Sequence, residues 1–222
     1  MPLNKTKGNM YDFVTHTWNP IKGRCSHDCQ YCYMKRWGEL PDLHLDAREM
    51  KTDLGSGNYI FVGSSTDMFA EDVSWEWITQ VLDYCRQFKN RYLFQTKNPG
   101  RFWEFIPFPK DSTLGTTIES DRHYSLSKAP PAKERAIEMC GLYGNGFDRM
   151  VTIEPILDFD SWGFLQLLCL ANPDWITIGA DSQRCNLPEP SYKKVMQLIS
   201  KLNKFTNVKE KKNLDRLKKE SI

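Results

Sequence analysis

Short apolar runs alternate with longer segments of helical periodicity along most of this chain. The runs are rich in β-branched and aromatic residues and are bounded by polar loops, a pattern that predicts strands. The segments between them repeat apolar residues every three or four positions, which predicts amphipathic helices. The predicted strands are 11–17, 58–64, 91–96, 113–119, 149–155 and 174–180, and the predicted helices are 75–88, 131–144, 161–171 and 191–205.

This alternation of strands and helices predicts an α/β fold with parallel strand pairing. Six β/α units at this spacing fit either an incomplete (β/α) barrel or an open doubly wound sheet. In both architectures the carboxyl ends of the strands carry the functional site. Polar clusters follow five of the predicted strands, so we expect them to share one site: Ser65-Thr66-Asp67, Lys97-Asn98, Glu119-Ser120-Asp121, Glu154 and Asp181-Ser182.

Composition and charge add few limits to this picture. A chain of 222 residues, 40% hydrophobic and 26% charged, is of a size for one large domain with a buried core. The net charge of +2 is too small to indicate a nucleic-acid partner by itself. The segment 201–219 is basic and polar, which favours a solvated helix over a nucleic-acid contact. We expect one domain over 1–205 and a basic tail or helix over 206–222.

Signals for secretion and for membrane insertion are absent from the sequence. The first residues form no apolar signal segment, and no run approaches the roughly 18 apolar residues of a membrane helix. Seven cysteines, three of them close together, argue against a disulfide framework and for a reducing compartment. The sequence therefore predicts a soluble, cytoplasmic protein without a membrane partner.

The stretch CSHDCQYC contains three thiols, Cys25, Cys29 and Cys32, within eight residues. Thiolates are ligands for zinc, copper(I) and iron–sulfur clusters. A structural zinc site usually has four ligands in two separated knuckles, and His27 could complete such a set only in a strained loop. Three thiolates suit a cubane 4Fe–4S cluster with one iron open to a further ligand, whereas electron-transfer clusters usually have four cysteines. A zinc site and three unligated buried thiols are the alternatives.

The order C-x3-C-x-aromatic-C after a first strand resembles the signature of the radical S-adenosylmethionine (SAM) superfamily. The resemblance implies a partial (β/α)6 TIM-like barrel of the radical SAM type. It also implies that SAM chelates the open iron and is cleaved by one electron to methionine and a 5′-deoxyadenosyl radical, which abstracts hydrogen from substrate. More narrowly, six motifs resemble a phage- and prokaryote-associated radical SAM family of unknown function, related to spore photoproduct lyase, which repairs a thymine dimer in DNA. These motifs are THTWNP, GSSTDMF, QTKNPGRF, GTTIES, IEPILDF and ITIGADS.

The resemblance assigns roles to residues around the cysteines and the second and third strands. The three cysteines would hold the cluster, and Tyr31 resembles an aromatic that packs near the adenine of SAM; packing in the core is the alternative. At the end of the second strand, GSSTD replaces the usual Gly-Gly-Glu, so Ser64, Ser65 or Asp67 would accept from the SAM amino group. Lys97 resembles a lysine that pairs with the SAM carboxylate; a surface lysine is the alternative.

Residues at the later strand ends receive roles from the same resemblance. Thr117 and Glu119 end the fourth strand, where the family contacts ribose hydroxyls. Glu154 is either a SAM or substrate ligand or a paired structural carboxylate. Gly179 is small enough for adenine to approach the backbone closely.

The remaining cysteines and polar loops give weaker candidates. Cys185 is either a hydrogen-atom donor that quenches a product radical or an ordinary loop cysteine. The other three, Cys85, Cys140 and Cys169, fall on apolar faces of predicted helices and are interpreted as packing residues. Candidates for substrate contacts are Asp121, Arg122, His123, Asp158 and Arg184.

Together these expectations describe a radical SAM enzyme with a 4Fe–4S cluster and SAM as cofactors. A flavodoxin- or ferredoxin-type donor would supply the electron, and hydrogen abstraction would start a rearrangement, repair or modification. A small barrel with an open mouth favours a large substrate such as nucleic acid, or a partner subunit that covers the opening. A thymine-type base in DNA or in a nucleotide is the preferred candidate. The alternative is a non-catalytic zinc or iron–sulfur nucleic-acid-binding module. The sequence leaves the substrate and the oligomeric state open.

Overall fold

A computed structural model describes residues 3–219 of the chain. Its regular elements alternate in the order that the sequence pattern predicts, with short 3₁₀ helices at Tyr33–Trp37, Glu49–Lys51, Pro99–Phe105 and Lys212–Leu214. The strands are β1 (Asn4–Lys5), β2 (His16–Trp18), β3 (Ile21–Lys22), β4 (His44–Leu45), β5 (Tyr59–Val62), β6 (Arg91–Thr96), β7 (Ser112–Thr117), β8 (Asp148–Ile153), β9 (Trp175–Ile178) and β10 (Asn207–Glu210). The α-helices are α1 (Trp75–Arg86), α2 (Ala132–Gly141), α3 (Ser161–Ala171), α4 (Tyr192–Leu202) and α5 (Asp215–Lys219).

Eight strands form one sheet in the order β1-β2-β5-β6-β7-β8-β9-β10. Neighbouring strands pair parallel except β1 with β2, and β3 pairs antiparallel with β4 in a separate ribbon. Within the described residues β1 and β10 are the two edges and do not pair, so the sheet stays open. The six predicted strands are present as β2 and β5 to β9, which confirms the α/β class and the incomplete barrel.

Side-chain alternation gives the sheet two apolar faces. One face packs against the helices through residues such as Ile60, Val62, Phe94, Val151 and Ile178. The opposite face carries a smaller cluster, in which Tyr11 and Val14 cover Tyr59, Leu93 and Met150. The sheet therefore lies between a helical layer and an N-terminal segment, residues 10–14.

The predicted strand 11–17 is wrong in its first half. Val14 N donates to Tyr11 O at 3.0 Å in a turn, and strand pairing begins only at His16. The Tyr11 hydroxyl instead donates to Gln95 Oε1 and bonds Thr152 Oγ1, each at 2.8 Å. These hydrogen bonds to polar groups of the sheet place the Tyr11 side chain on the sheet face, and the segment around it does not pair as a strand.

The C-terminal region, expected as a basic tail or helix over 206–222, contributes a strand to the sheet. β10 pairs parallel with β9, and Leu214 and Leu217 after it are buried. The α5 helix follows, and residues 220–222 of the predicted tail lie outside the described residues.

Two of the three helical cysteines pack as predicted. Cys85 is buried and Cys140 is half-buried, but Cys169 is exposed, so its prediction as a packing residue is wrong. It follows the buried pair Leu167 and Leu168 by one position, which turns it away from the sheet. No helix among residues 3–219 has the length and apolar character that crossing a membrane requires.

Candidate functional site

Predicted site residues beyond the ends of β6 and β8 share one face of the sheet at its carboxyl edge. Every second residue of a strand lies on the same face. Leu93 and Met150 lie on the face covered by segment 10–14. Lys97 and Glu154 each follow one of these residues by four positions, and so continue the same face beyond the strand ends.

Glu119 is the centre of a buried network that connects the cysteine loop, residues 25–32, with the sheet and α2. Its Oε1 accepts from the Tyr31 hydroxyl and from Lys97 Nζ, and its Oε2 accepts from Arg135 Nη2 at 2.9 Å. Lys97 Nζ also donates to the Tyr31 oxygen at 2.8 Å. The Lys97 side chain is only 14% exposed, so the surface-lysine alternative is wrong.

The charges of this network leave one positive charge in excess. Burial by itself raises the pKa of Glu119, but Arg135 and Lys97 lower that pKa below its usual range, so the carboxylate is ionised. Burial, followed by the charge of Glu119, raises the pKa of Tyr31, so the phenol stays neutral. Two cations and one anion sum to +1, which makes the site attractive to a ligand carboxylate.

Asp67 fastens the cysteine loop to the sheet. Its Oδ2 accepts from Thr96 Oγ1 at 2.9 Å and from Lys97 N at 2.8 Å, and it lies 3.0 Å from Nε2 of the buried His27. Oδ1 accepts from Phe69 N at 3.0 Å. Burial raises the pKa of Asp67, but His27 and these donors outweigh it and the pKa is lowered. The carboxylate is thus fully engaged within the protein.

The two serines next to Asp67 differ in the freedom of their hydroxyls. Ser64 Oγ donates to Asn19 Oδ1 at 3.0 Å, and Ser65 N donates to the same oxygen at 2.9 Å. Ser65 Oγ is half-buried and makes no hydrogen bond within residues 3–219. Among the three residues predicted to accept from an amino group, Ser65 is the one whose hydroxyl is open to a ligand.

Glu154 is a paired carboxylate, the second of the two predicted alternatives. Its Oε1 accepts from Asn9 and Asn213, each at 2.7 Å, and its Oε2 accepts from Lys211 Nζ at 2.6 Å. A Cβ on Gly179 would come within 2.8 Å of Asn213 Oδ1 and 3.0 Å of Glu154. The space beside Gly179 is therefore filled by protein, and this glycine permits the contact between the two side chains.

The cysteine loop has features of a site that accepts a group. Cys29 is buried, and Cys25 and Cys32 are half-buried. Burial, with the nearby Asp67 and Cys29, raises the pKa of Cys25 to about 12, so metal binding there displaces a proton. The buried Ser26 Oγ has no hydrogen-bond partner in the described part of the chain.

The cysteine loop can be compared with the needs of two kinds of metal group, a single metal ion and a 4Fe–4S cubane. Among residues 3–219 no three His, Cys, Asp or Glu side chains form a group that could hold a metal ion. A cubane differs from a single ion because each thiolate binds a different iron. The donor set therefore fits a cluster: it consists of three thiols in one loop, with the buried hydroxyl of Ser26, unpartnered in the described chain, beside them.

A second segment supports the loop and borders a cavity. Gln30 N donates to Leu126 O at 2.8 Å, and Lys128 N donates to His27 O at 2.7 Å. Between the loop and this segment lies a small cavity of about 90 Å³ that opens to solvent. Tyr31, Glu119, Ser120, Arg135 and Leu157 contribute to its lining.

The remaining candidates lie in loops at the same edge. Cys185 is exposed, and its N–H donates to Asp181 Oδ2. Arg122 pairs with Asp158, which also accepts from Lys194 at 2.7 Å. The other three substrate candidates are Asp121, which accepts from Asp160 N at 3.0 Å, and the exposed His123 and Arg184.

Sequence reasoning missed several residues of this site. Asn19 lies in the THTWNP motif, so the motif itself was the available signal. Arg135 is one of several charged residues in a predicted helix, and its burial follows only from packing. Asn9, Lys211 and Asn213 have no local signal, because their common partner Glu154 is distant in sequence.

The fold is similar to that of spore photoproduct lyase. A double mutant of that lyase with bound AdoMet and dinucleoside spore photoproduct matches with a TM-score of 0.59 and 12% identity, over 92% of this chain and 66% of that chain. The lyase complexed with dinucleoside spore photoproduct matches with a TM-score of 0.61 and 11% identity, over 90% and 64%. This chain thus spans slightly less than two thirds of the length of these two lyase chains.

Sequence comparison gives the family. A family model described as protein of unknown function (DUF5131) matches residues 9–189, and the chain belongs to that family. No curated protein matches the chain. The predicted resemblance, a family of unknown function with the fold of spore photoproduct lyase, is confirmed.

Proposed function

We propose that this protein is a radical SAM enzyme. Its 4Fe–4S cluster would be held by Cys25, Cys29 and Cys32, and SAM would bind along the carboxyl edge of the sheet. The observation that carries the proposal is the direct bonding of the cysteine loop, through Tyr31, to a buried network with one excess positive charge. Such a network offers a place for the carboxylate of an amino-acid ligand beside three thiols.

When bound, the cluster and SAM supply one-electron cleavage of the sulfonium and start hydrogen abstraction from the substrate. The residues of this chain bind and orient. Lys97 offers its ammonium to the SAM carboxylate, and the free hydroxyl of Ser65 accepts from the amino group. Arg135 keeps Glu119 ionised, so that the carboxylate accepts from ribose hydroxyls on the cavity side.

The accessory roles follow from the same arrangement. The Thr117 carbonyl accepts a hydrogen bond from Arg135, which places Thr117 beside Glu119, where the ribose is proposed to bind. Slight desolvation of the exposed Cys185, with the nearby charge of Asp181, raises the pKa of its thiol, so the thiol keeps the hydrogen atom that a donor to a product radical needs. A flavodoxin- or ferredoxin-type protein would supply the electron.

The substrate we propose is a nucleic acid or nucleotide with a thymine-type base. The open sheet supports a large substrate, because no further strand closes the site within residues 3–219. Lyase structures of the same fold contain a dinucleoside spore photoproduct. Rearrangement, repair and modification of the base are all compatible with this chemistry.

Anaerobic reconstitution with iron and sulfide tests the proposal. We expect a 4Fe–4S electron paramagnetic resonance signal that changes when SAM is added, and 5′-deoxyadenosine after reduction. Cys29→Ala should lose the cluster, whereas Cys169→Ala, which changes an exposed thiol on α3, should keep it. Zinc in place of iron, or a cluster whose spectrum ignores SAM, would support the nucleic-acid-binding module and overturn the enzyme.

A further inference from the structure

An aromatic platform follows the cysteine loop directly. The 3₁₀ helix Tyr33–Trp37 has no buried residue. Trp37 is 68% exposed and Tyr33 is 36% exposed. The Arg36 guanidinium carbon lies 5.8 Å from the centre of the Tyr33 ring and 5.2 Å from that of Trp37. Cation–π contacts thus hold two exposed rings and one cation as a set, Tyr33, Arg36 and Trp37, which we call the aromatic platform.

The platform lies beside the proposed cofactor site. The Tyr33 hydroxyl donates to Ser64 O at 3.1 Å, immediately beyond the carboxyl end of β5. Cys32 is the residue from which the 3₁₀ helix starts. A ligand resting on the platform would therefore extend along the edge of the sheet where SAM is proposed to bind.

Charge around the platform favours a base and its phosphate over an acidic protein surface. Ion pairs balance part of the charge of the neighbouring cations: Lys35 and Lys128 share Asp28, and Arg24 pairs with Asp42. Arg36 makes no ion pair with any of residues 3–219. An acidic partner is recognised by complementary charge spread over a patch. A guanidinium that lies against two exposed rings and has no carboxylate partner in the described chain matches a nucleobase stacked on an aromatic ring with its phosphate nearby.

We infer that the aromatic platform binds unpaired bases of a nucleic-acid substrate, with Arg36 at the adjoining phosphate. The inference rests on the proposed function and deepens it, because it names single-stranded or locally opened nucleic acid as the substrate class. Bases in a closed duplex are stacked on one another and cannot rest on protein rings. The platform would hold nucleotides next to the one that reacts.

Fluorescence anisotropy of a labelled oligothymidylate of about twelve nucleotides, a length within the site sizes of single-strand binders, tests the inference on the reconstituted full chain. Trp37→Ala should raise Kd about fivefold or more, the loss expected for one stacked base. Arg36→Ala should weaken binding and lower the salt dependence by about one ion. The matched control is Trp162→Ala, which removes a ring that is 65% exposed on α3 and should leave Kd unchanged. A strand of equal length without bases should not respond to Trp37→Ala.

Three outcomes would overturn the inference: no binding of the strand, equal effects of Trp37→Ala and Trp162→Ala, or equal affinity for the strand without bases. If Trp37→Ala slows only electron delivery from a reduced flavodoxin, the platform is a site for an acidic redox protein and the inference fails. SAM cleavage with a chemical reductant and without nucleic acid reports on the proposed function separately. If only the platform inference is wrong, SAM cleavage is still observed. If the radical SAM proposal is wrong, no SAM cleavage is observed, whether or not the protein binds the strand.

Discussion

Asp67 shows how one buried carboxylate positions a loop. It bonds to two residues at the end of β6 and to His27, which lies between two of the clustered cysteines. A carboxylate accepts several such bonds at once, and a buried donor left without a partner costs about 1–3 kcal/mol. The position of the cysteine loop therefore depends on a side chain that need not touch a ligand itself.

Asp67→Ala should loosen the cysteine loop. His27 loses its partner, so the loop opens more often and the buried Cys29 reacts faster with a thiol reagent, by about tenfold. Alkylation of the metal-free protein followed by peptide mass spectrometry measures the rate. Asp72→Ala, which changes an exposed carboxylate between β5 and α1, the segment that also contains Asp67, is the matched control. An unchanged rate at Cys29 would show that Asp67 does not hold the loop.

Single residues of the site were predictable where the strand pattern placed them. Lys97 and Glu119 each come at the end of an apolar strand, and parallel pairing brings such ends together. Asp67 was predicted as a ligand candidate from its place in GSSTD, but its contacts with Thr96 and His27 arise only in the folded chain. The sequence thus predicted that these residues lie close together, but their hydrogen-bond partners depend on packing in the folded chain.

At the scale of elements, β10 completes one side of the sheet. It pairs with β9, and Lys211 and Asn213, which follow it, are partners of the half-buried Glu154. The sequence of β10, NVKE, has little apolar character, so its strand state depends on the neighbour and not on intrinsic propensity. For this reason periodicity predicted β5 to β9 and missed β10, as it missed the two-residue β1.

Ending the chain after Phe205 should destabilise the whole sheet. The truncation exposes the β9 edge and leaves Glu154 without two of its partners, so the free energy of unfolding should fall by about 3 kcal/mol or more. Urea denaturation followed by circular dichroism measures it, and a chain ended after Lys219 is the control. If the truncated chain does not fold, Lys211→Met tests the same contact by itself. Wild-type stability in Lys211→Met would contradict the role given to this region.

At the scale of the whole molecule, several carboxylates make stability depend on pH. Lys22, followed by backbone N–H groups, lowers the pKa of Asp46 to about 2. The pKa values of Asp67 and Glu119 are also lowered, despite burial that acts in the opposite direction. A lowered pKa in the folded state adds stability above the ordinary pKa of the group, near 4, and this stability is lost as the pH falls through the folded value.

The free energy of unfolding should therefore be steady above about pH 5 and fall steeply below about pH 4. Arg135→Met removes one of the cations that lower the pKa of Glu119. This variant should be less stable at pH 7, and its dependence on acid should be weaker. Lys133→Met, an exposed cation on the same helix, should follow the wild type. Urea titrations between pH 3 and about pH 7 measure these curves, and identical curves for Arg135→Met and wild type would contradict the network.

The hydrogen bonds from Gln30 to Leu126 and from Lys128 to His27 also set an order of events during synthesis. The ribosome makes the three clustered thiols first and the segment that supports them on the order of ten seconds later, at ordinary elongation rates. During that interval the thiols belong to an unfinished chain and are open to oxidants and to stray metals. If the proposed cluster is bound, we expect its stable insertion only after residue 128 has left the ribosome, when both hydrogen bonds to the loop can form.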